Sequence, residues 1–546
     1  MSAEPPSPAF SERSGRFDFL LPAAALAAIC AAFGSHLPLW DGAFYLKCLE
    51  DAFGPRQGLA FLSCANHPTA GYLAPLALAF HLAGLRYTAV IAANVLLAAF
   101  ATHAVADLSA LMFPGPALRL ERLLVTLGFA LCPLLLACTV QLTPDFGVAL
   151  FALLTLRALA RQHLKLAALC GALASFSKET GAAIYLLGCA AHLLVYVVWM
   201  PGDQRTKLAA LRRYAPLLLA PALGAAWLVG RALLLGERGA WRGIGSQYPL
   251  WRGALSISWI DDVLLSQLAE IFVINFAWVL SAFVLLSAVE PTWRFIARAP
   301  APADDSEEKR VRIFFTLTFI GVVLAVTRFR TFVIPRYVLP AAVLLPLMAQ
   351  RSLHALRVTP RLRLLMLGTS AALTLFADFR TRDAFAMNLF GTFDWGDRRL
   401  LDLAARAGDQ NGRREHMVYN LEFTHLSALL DEALPDALAD GRHRLALNRV
   451  AIWFPIGYVD HRTHRRTASA RGASIPRLSY LPEIRRSANR PLQLYYFELP
   501  GMDDEDELIV WRQYYRVGAA RRYASGGYSI GVRELLLRDD APEPER

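Results

Sequence analysis

The sequence predicts an all-α polytopic membrane protein of about eleven transmembrane helices, followed by a C-terminal mixed α/β domain outside the bilayer. Three observations lead there. Hydrophobic residues make up 55% of the 546 residues and the mean hydropathy is positive, too apolar for a soluble chain of this length. Apolar stretches of roughly 16 to 25 residues recur between residues 18 and 379, the length a helix needs to cross hydrocarbon, whereas barrel strands are shorter and alternating. The arginines and lysines gather between alternate stretches, where they decide which side each loop occupies.

The first span, 18–34, follows a tail (1–17) that holds Arg13 and Arg16 but no long cationic run, so it reads as retained rather than cleaved. An outer loop, 35–86, leads to spans at 87–108, 122–140, 144–161, 163–177, 181–199, 214–236, 266–289, 312–327, 336–349 and 364–379. With the N-terminus inside, the inner loops carry Arg119 and Arg122; Arg157, Arg161 and Lys165; Arg205, Lys207, Arg212 and Arg213. They continue with Arg294, Arg298, Lys309, Arg310 and Arg312, then Arg351, Arg357, Arg361 and Arg363, about twice what the outer loops hold. The stretch 68–84 is apolar but short, with Pro68, Pro75, Gly71, Gly84 and His81. Counting it as a crossing reverses every later loop, so it is expected to lie along the outer surface.

The membrane module therefore runs over 18–380, and residues 381–546 form a tail on the outer side, long enough for its own core. That tail mixes apolar runs at 417–421, 450–459, 492–499 and 507–511 with charged stretches, and a helix is expected at 421–434. Of seven cysteines, five fall inside spans; Cys48 and Cys64 share the outer loop and either pair in an oxidising compartment or stand as two thiols. No zinc spacing appears. The net charge of +11 is not gathered on one soluble stretch interleaved with aromatics, which argues against nucleic acid as a partner.

On this threading Asp41, His67, Asp145, Lys178, Glu179, Arg328, Arg330 and Arg336 all reach the outer face, at or near span ends where ionised groups are tolerated. Asp41 precedes an amphipathic helix and can take a hydroxyl proton; a helix cap is the plainer role. His67 lies in NHPTAGYL, where Asn66 or His67 can cap and Pro68 suits a first turn. Thr143, Pro144 and Asp145 also make a good helix start, which explains that motif locally. Lys178 and Glu179 are adjacent and so do not face each other on a helix, leaving Lys178 to seek another anion such as Asp145 or a lipid phosphate. Arg336 follows Pro335 at a helix start, where the dipole disfavours a cation without a nearby anion. With Arg328 and Arg330 close by and Tyr337 beside it, this segment offers guanidinium forks that match phosphate oxygens; lipid-headgroup anchoring is the alternative.

WDGAFYL at 40–46, NHPTAGYLAPLALAFHLAG at 66–84, TPD at 143–145, GALASFSKETG at 171–181 and PRYVLP at 335–340, in this order, resemble the C-type glycosyltransferase (GT-C) superfamily. The likeness is to the bacterial relatives of protein O-mannosyltransferases and of the lipid A aminoarabinose transferase, over about 380 residues. The resemblance implies a multi-pass protein of the bacterial inner membrane with its C-terminal domain in the periplasm. It makes Asp41 the catalytic base and Asp145 a second acid. His67, Lys178, Arg336 and Tyr337, with Arg328 and Arg330, would serve the donor phosphate, and Glu179 is a further site candidate. The donor would be a polyprenyl-phosphate-linked sugar and the acceptor a hydroxyl on a glycan, lipid or protein; no cofactor is specified, and a divalent metal is compatible with the family but not indicated by these residues. Gly42 stands where many relatives have a second acid, and Thr69 where many have a second proline, which leaves the sugar open. Two other classes remain: a transporter or flippase of lipid-linked sugars, and an inactive relative serving as an envelope scaffold. Transport sites favour broken helices at mid-bilayer, which the sequence does not show.

Overall fold

The computed structural model describes residues 18–33, 38, 41–53, 64, 67–199, 204–234, 262–296, 306–327, 335–377, 392–395, 398–402, 421, 428–430, 432–433, 444–447, 478–479, 481–498, 505–525 and 528–544. The described residues are mostly helical, with strands confined to the C-terminal part.

The helices follow the apolar stretches closely. They are α1 (Leu20–Phe33), α2 (Asp41–Asp51), α3 (Ala70–Leu82), α4 (Tyr87–Met112), α5 (Arg119–Ala130), α6 (Pro133–Val140), α7 (Pro144–Ala160), α8 (Leu164–Ser175) and α9 (Glu179–Leu193). After these come α10 (Gln204–Arg212), α11 (Leu219–Leu234), α12 (Asp262–Phe272), α13 (Trp278–Ile296), α14 (Glu307–Thr327), α15 (Leu339–Ala342), α16 (Leu345–Ala355) and α17 (Pro360–Ala377). Among the described residues, Tyr87–Met112, Glu179–Val198 and Glu307–Thr327 are each long and apolar enough to cross a membrane. The stretch 116–140 qualifies as a fourth only if its two halves, bent by 51°, are taken together.

Several expected single spans are therefore broken. The helix over 122–140 stops at Leu131 because Pro133 has no N–H to continue it. Where 266–289 is read from sequence as one span, α12 and α13 are separated by a turn in which Asn275 (φ 58°) and Phe276 (φ 61°) are left-handed. The 336–349 span is a 3₁₀ turn, Pro335–Val338, then α15 and α16, with Pro340 and Pro346 early in those helices.

α7 is the central strut, buried along almost its whole length and packed against α4, α8 and α9. Its small residues let neighbours approach: a Cβ at Gly147 would stand 2.8 Å from the Tyr72 ring. The ends of the bundle are electrostatically distinct. At the far end of α7, Arg157 and Arg161 bind Asp107 of α4. Nearby, Asp18 takes Arg119 and Arg122, and Glu121 takes His354 and Arg363. These groups sit on the loops read from sequence as one common side.

The C-terminal part carries a hairpin, β1 (Thr392–Trp395) with β2 (Arg398–Asp402), and a five-stranded mixed sheet. The sheet holds β3 (Arg444–Leu447), β4 (Leu478–Ser479), β5 (Gln493–Glu498), β6 (Tyr515–Ser525) and β7 (Tyr528–Leu537) in the order β4-β3-β5-β7-β6. Leu494 and Tyr496 of β5 alternate onto the face that buries Trp511 of a helix at Glu505–Tyr514. On the opposite face, Phe497, Ile530 and Val532 join the apolar core of the bundle. Residues 428–430 and 432–433 are helical, as expected within 421–434; the runs 417–420 and 450–459 lie outside the described residues.

Candidate active site

Opposite the Asp107 end, four chain segments meet. α7 begins at Pro144 with Thr143 in an extended N-cap conformation (φ −134°, ψ 131°), as the sequence predicts, but the Thr143 hydroxyl makes no capping bond. Asp145, in the first turn, supplies the negative charge that this helix end favours. Lys178 precedes α9 in extended backbone and Glu179 is its first residue. Arg336 lies in the turn Pro335–Val338.

These turns converge on one buried carboxylate. Lys178 Nζ donates to Asp145 Oδ1 at 2.9 Å and Oδ2 at 3.1 Å, and Arg336 Nε lies 3.3 Å from Oδ2. All three are buried, Lys178 at 3%, Asp145 at 4% and Arg336 at 4% exposure. The Tyr337 ring carries both cations, Lys178 Nζ 4.2 Å and Arg336 Cζ 5.3 Å from its centroid. Asp145 is thus the anion that both Lys178 and the dipole-opposed Arg336 require. Glu179 turns the other way, to His67: a carboxylate accepts only, so Nδ1 of His67 carries the hydrogen of that 2.9 Å bond. Unlike the triad, this pair reaches solvent, with side chains 28% and 44% exposed.

His67 does not cap α3. It precedes Pro68, a position that disfavours helical backbone, and the N-cap is Thr69. The Thr69 hydroxyl instead accepts from the Cys64 amide at 3.0 Å. Cys48 and Cys64 form a disulfide, tying α2 to the residues just ahead of His67, and His81 Nε2 donates to Leu49 O at 2.8 Å to fasten α2 onto α3. α2 starts at Asp41. A Cβ on Gly42 would lie 3.0 Å from Gln141 Oε1 and 3.3 Å from Leu142 N, so the α2 start abuts the turn that leads to Asp145. The side chain of Asp41, and Arg328 and Arg330 altogether, lie outside the described residues. Among the described residues, no group of three or more His, Cys, Asp or Glu side chains is arranged to hold a metal ion.

Sequence reasoning passed over Tyr72, Tyr87 and Asn94. All three are buried polar groups within apolar helices, and that mismatch is the signal that marks them.

The fold has solved counterparts. A crystal structure of ArnT from Cupriavidus metallidurans bound to undecaprenyl phosphate superposes with a TM-score of 0.54 and 13% identity, covering 96% of this chain and 99% of that one. Its apo state gives a TM-score of 0.54 at 12% identity, with 94% and 97% covered. The fold implied by the sequence motifs is therefore the one found. No family model and no curated protein matches the chain.

Proposed function

We propose that this chain is an inverting membrane glycosyltransferase that moves a sugar from a polyprenyl phosphate to an acceptor hydroxyl on the extracytoplasmic face. One observation carries the reading: Lys178, Arg336 and Tyr337 converge on Asp145 beside the start of α2, which carries Asp41. A fold shared over nearly the full length with a protein crystallised on undecaprenyl phosphate supports a carrier of that class. The Cys48–Cys64 disulfide at the same end supports an oxidising compartment there.

In this mechanism the acceptor oxygen attacks the anomeric carbon while Asp41 takes its proton. The bond from that carbon to the phosphate oxygen breaks, its electron pair stays on the phosphate, and the anomeric configuration inverts. Lys178 and Arg336, with Arg328 or Arg330, stabilise the charge growing on the leaving polyprenyl phosphate. Asp145 holds two buried cations in place before the anionic substrate arrives. His67 and Glu179 border the donor head at the solvent-reaching rim.

A transporter of lipid-linked sugars is the second reading, favoured by the breaks in three expected spans. Cys132, Pro133, Asn275, Pro335 and Pro346, from or beside those breaks, line one cavity together with Glu270 and Ser370. Asp41→Asn decides between the two. Transfer from a labelled undecaprenyl-phosphate sugar in proteoliposomes is expected to fall by about 100-fold or more, because the base is lost, with carrier affinity retained. Unchanged transfer defeats the catalytic assignment; net carrier movement without transfer selects the transporter.

A further inference from the structure

The charged residues of the candidate site sit on turns, and turns need something to hold them. The turn at Gln141–Asp145 is the hub, since it meets the α2 start at Gly42 and presents Asp145 to Lys178 and Arg336. α6 ends there and leaves its last carbonyls without helical partners. The Thr139, Val140 and Gln141 carbonyls are met from α4: Tyr87 Oη donates to Val140 O at 2.7 Å, and Asn94 Nδ2 donates to Thr139 O at 3.0 Å and reaches Gln141 O at 3.5 Å. Asn94 is in turn oriented from α3, where Tyr72 Oη donates to its Oδ1 at 3.0 Å. Asn94 and Tyr72 are 0% and 1% exposed.

The same first turn of α3 grips the second site turn. The Gly71 amide donates to Phe176 O at 2.9 Å, two residues before Lys178, and a Cβ at Gly71 would fall 2.3 Å from Leu173 O. α3 thus bonds directly to the backbone that delivers Lys178 and, through Asn94 of α4, to the one that delivers Asp145. The hydrogen bonds of Tyr72 and Asn94 run to each other and to backbone carbonyls rather than to the charged groups.

We infer that the Tyr72–Asn94 pair is a positioning device that sets the register between the Asp145 and Lys178 turns, and hence the place where the donor phosphate is received. This rests on the transferase reading above. In that role the pair affects the rate of the chemical step more than donor binding, because a small displacement of pre-aligned cations is felt most where charge develops.

Tyr72→Phe deletes one hydroxyl and keeps the ring packed on Gly147; Asn94→Ser is the stronger variant. Ser109→Ala is the control, removing an equally buried bond, Ser109 Oγ to Gln350 Oε1 at 2.7 Å, toward the other end of α4. Tyr72→Phe is expected to lower kcat by about 10- to 100-fold with KM for the undecaprenyl-phosphate sugar almost unchanged. Ser109→Ala is expected to shift the unfolding midpoint comparably while leaving kcat within about twofold. The inference is overturned if both site variants keep wild-type kcat, or if activity in all three simply follows their stability. Amide hydrogen exchange is the second readout. Tyr72→Phe should speed exchange across 139–147 and 176–181, and Ser109→Ala should not. If the wild-type protein transfers no sugar, the functional reading alone falls; unchanged exchange at those two turns removes the positioning device.

Discussion

Replacing Asp145 by Asn tests the centre of the site by stranding two buried cations at once. At an effective dielectric near 20, unit charges about 3 Å apart attract by roughly 5 kcal/mol, from which the desolvation of each group must be subtracted. Removing one partner from a buried pair leaves a net cost of about 3–5 kcal/mol. The contacts at 2.9, 3.1 and 3.3 Å also rank the variants. Lys178→Met leaves Asp145 with Arg336, so it should destabilise less than Asp145→Asn. In the double variant the loss of the carboxylate strands only Arg336, so the two changes should be non-additive, with a coupling of about 1–3 kcal/mol. The assay is reversible unfolding in mixed micelles, comparing midpoints at constant slope. Undecaprenyl phosphate, whose phosphate supplies the missing anion, should recover part of the loss in Asp145→Asn, since a ligand that binds only the folded state stabilises it. A loss below about 1 kcal/mol, or strict additivity with Lys178→Met, would refute a buried triad of this strength.

Two further outcomes follow from packing around the site. Cys48→Ser opens a loop of sequence separation 16 and should cost about 3 kcal/mol, read as a lower unfolding midpoint that reductant then no longer shifts. Gly181→Ala pushes a Cβ to 2.0 Å from the Ala174 carbonyl oxygen, a backbone atom that cannot rotate away, and should cost at least about 1–3 kcal/mol in the same assay; Gly368→Ala, whose nearest neighbour is 3.9 Å away, should be close to neutral.

The helices and the pairing at the site were legible because each follows from a local rule. Arg336 at the start of a helical segment demanded an anion, and Lys178 could not use its neighbour Glu179; both needs meet in Asp145. Helix breaks were less legible. In the run from 266 to 289, Asn275 is a residue type that tolerates left-handed backbone, but nothing marks Phe276, which shares that conformation. Thr143 does take the N-cap position of α7, though its hydroxyl makes no capping bond; the cap expected of Asn66 or His67 failed because Thr69 took the start of α3, while His67 pairs with Glu179. Tyr72 and Asn94 escaped because nothing in one sequence says that two polar groups 22 positions apart face each other.

A carboxylate held by two basic side chains is not by itself the mark of an active site here. Asp107 takes Arg157 and Arg161, Asp18 takes Arg119 and Arg122, and Glu121 takes His354 and Arg363. All three lie at the other end of the bundle, roughly 25 Å away along the 17-residue α7. Those triads join helix ends to helix ends and contribute to closing the bundle. The Asp145 triad differs in its surroundings. Its cations share the Tyr337 ring, its carboxylate hangs from a turn clamped by Tyr87 and Asn94, and the start of a disulfide-tethered helix with Asp41 at its head packs against that turn. Three of the four segments that meet there arrive as turns rather than through-running helices, and turns can admit a substrate head without breaking a helical ladder. On the transferase reading proposed above, the chemistry is assigned to the end where the ion triad sits on turns, and the groups at the far end, which bridge helix termini, are assigned a structural part.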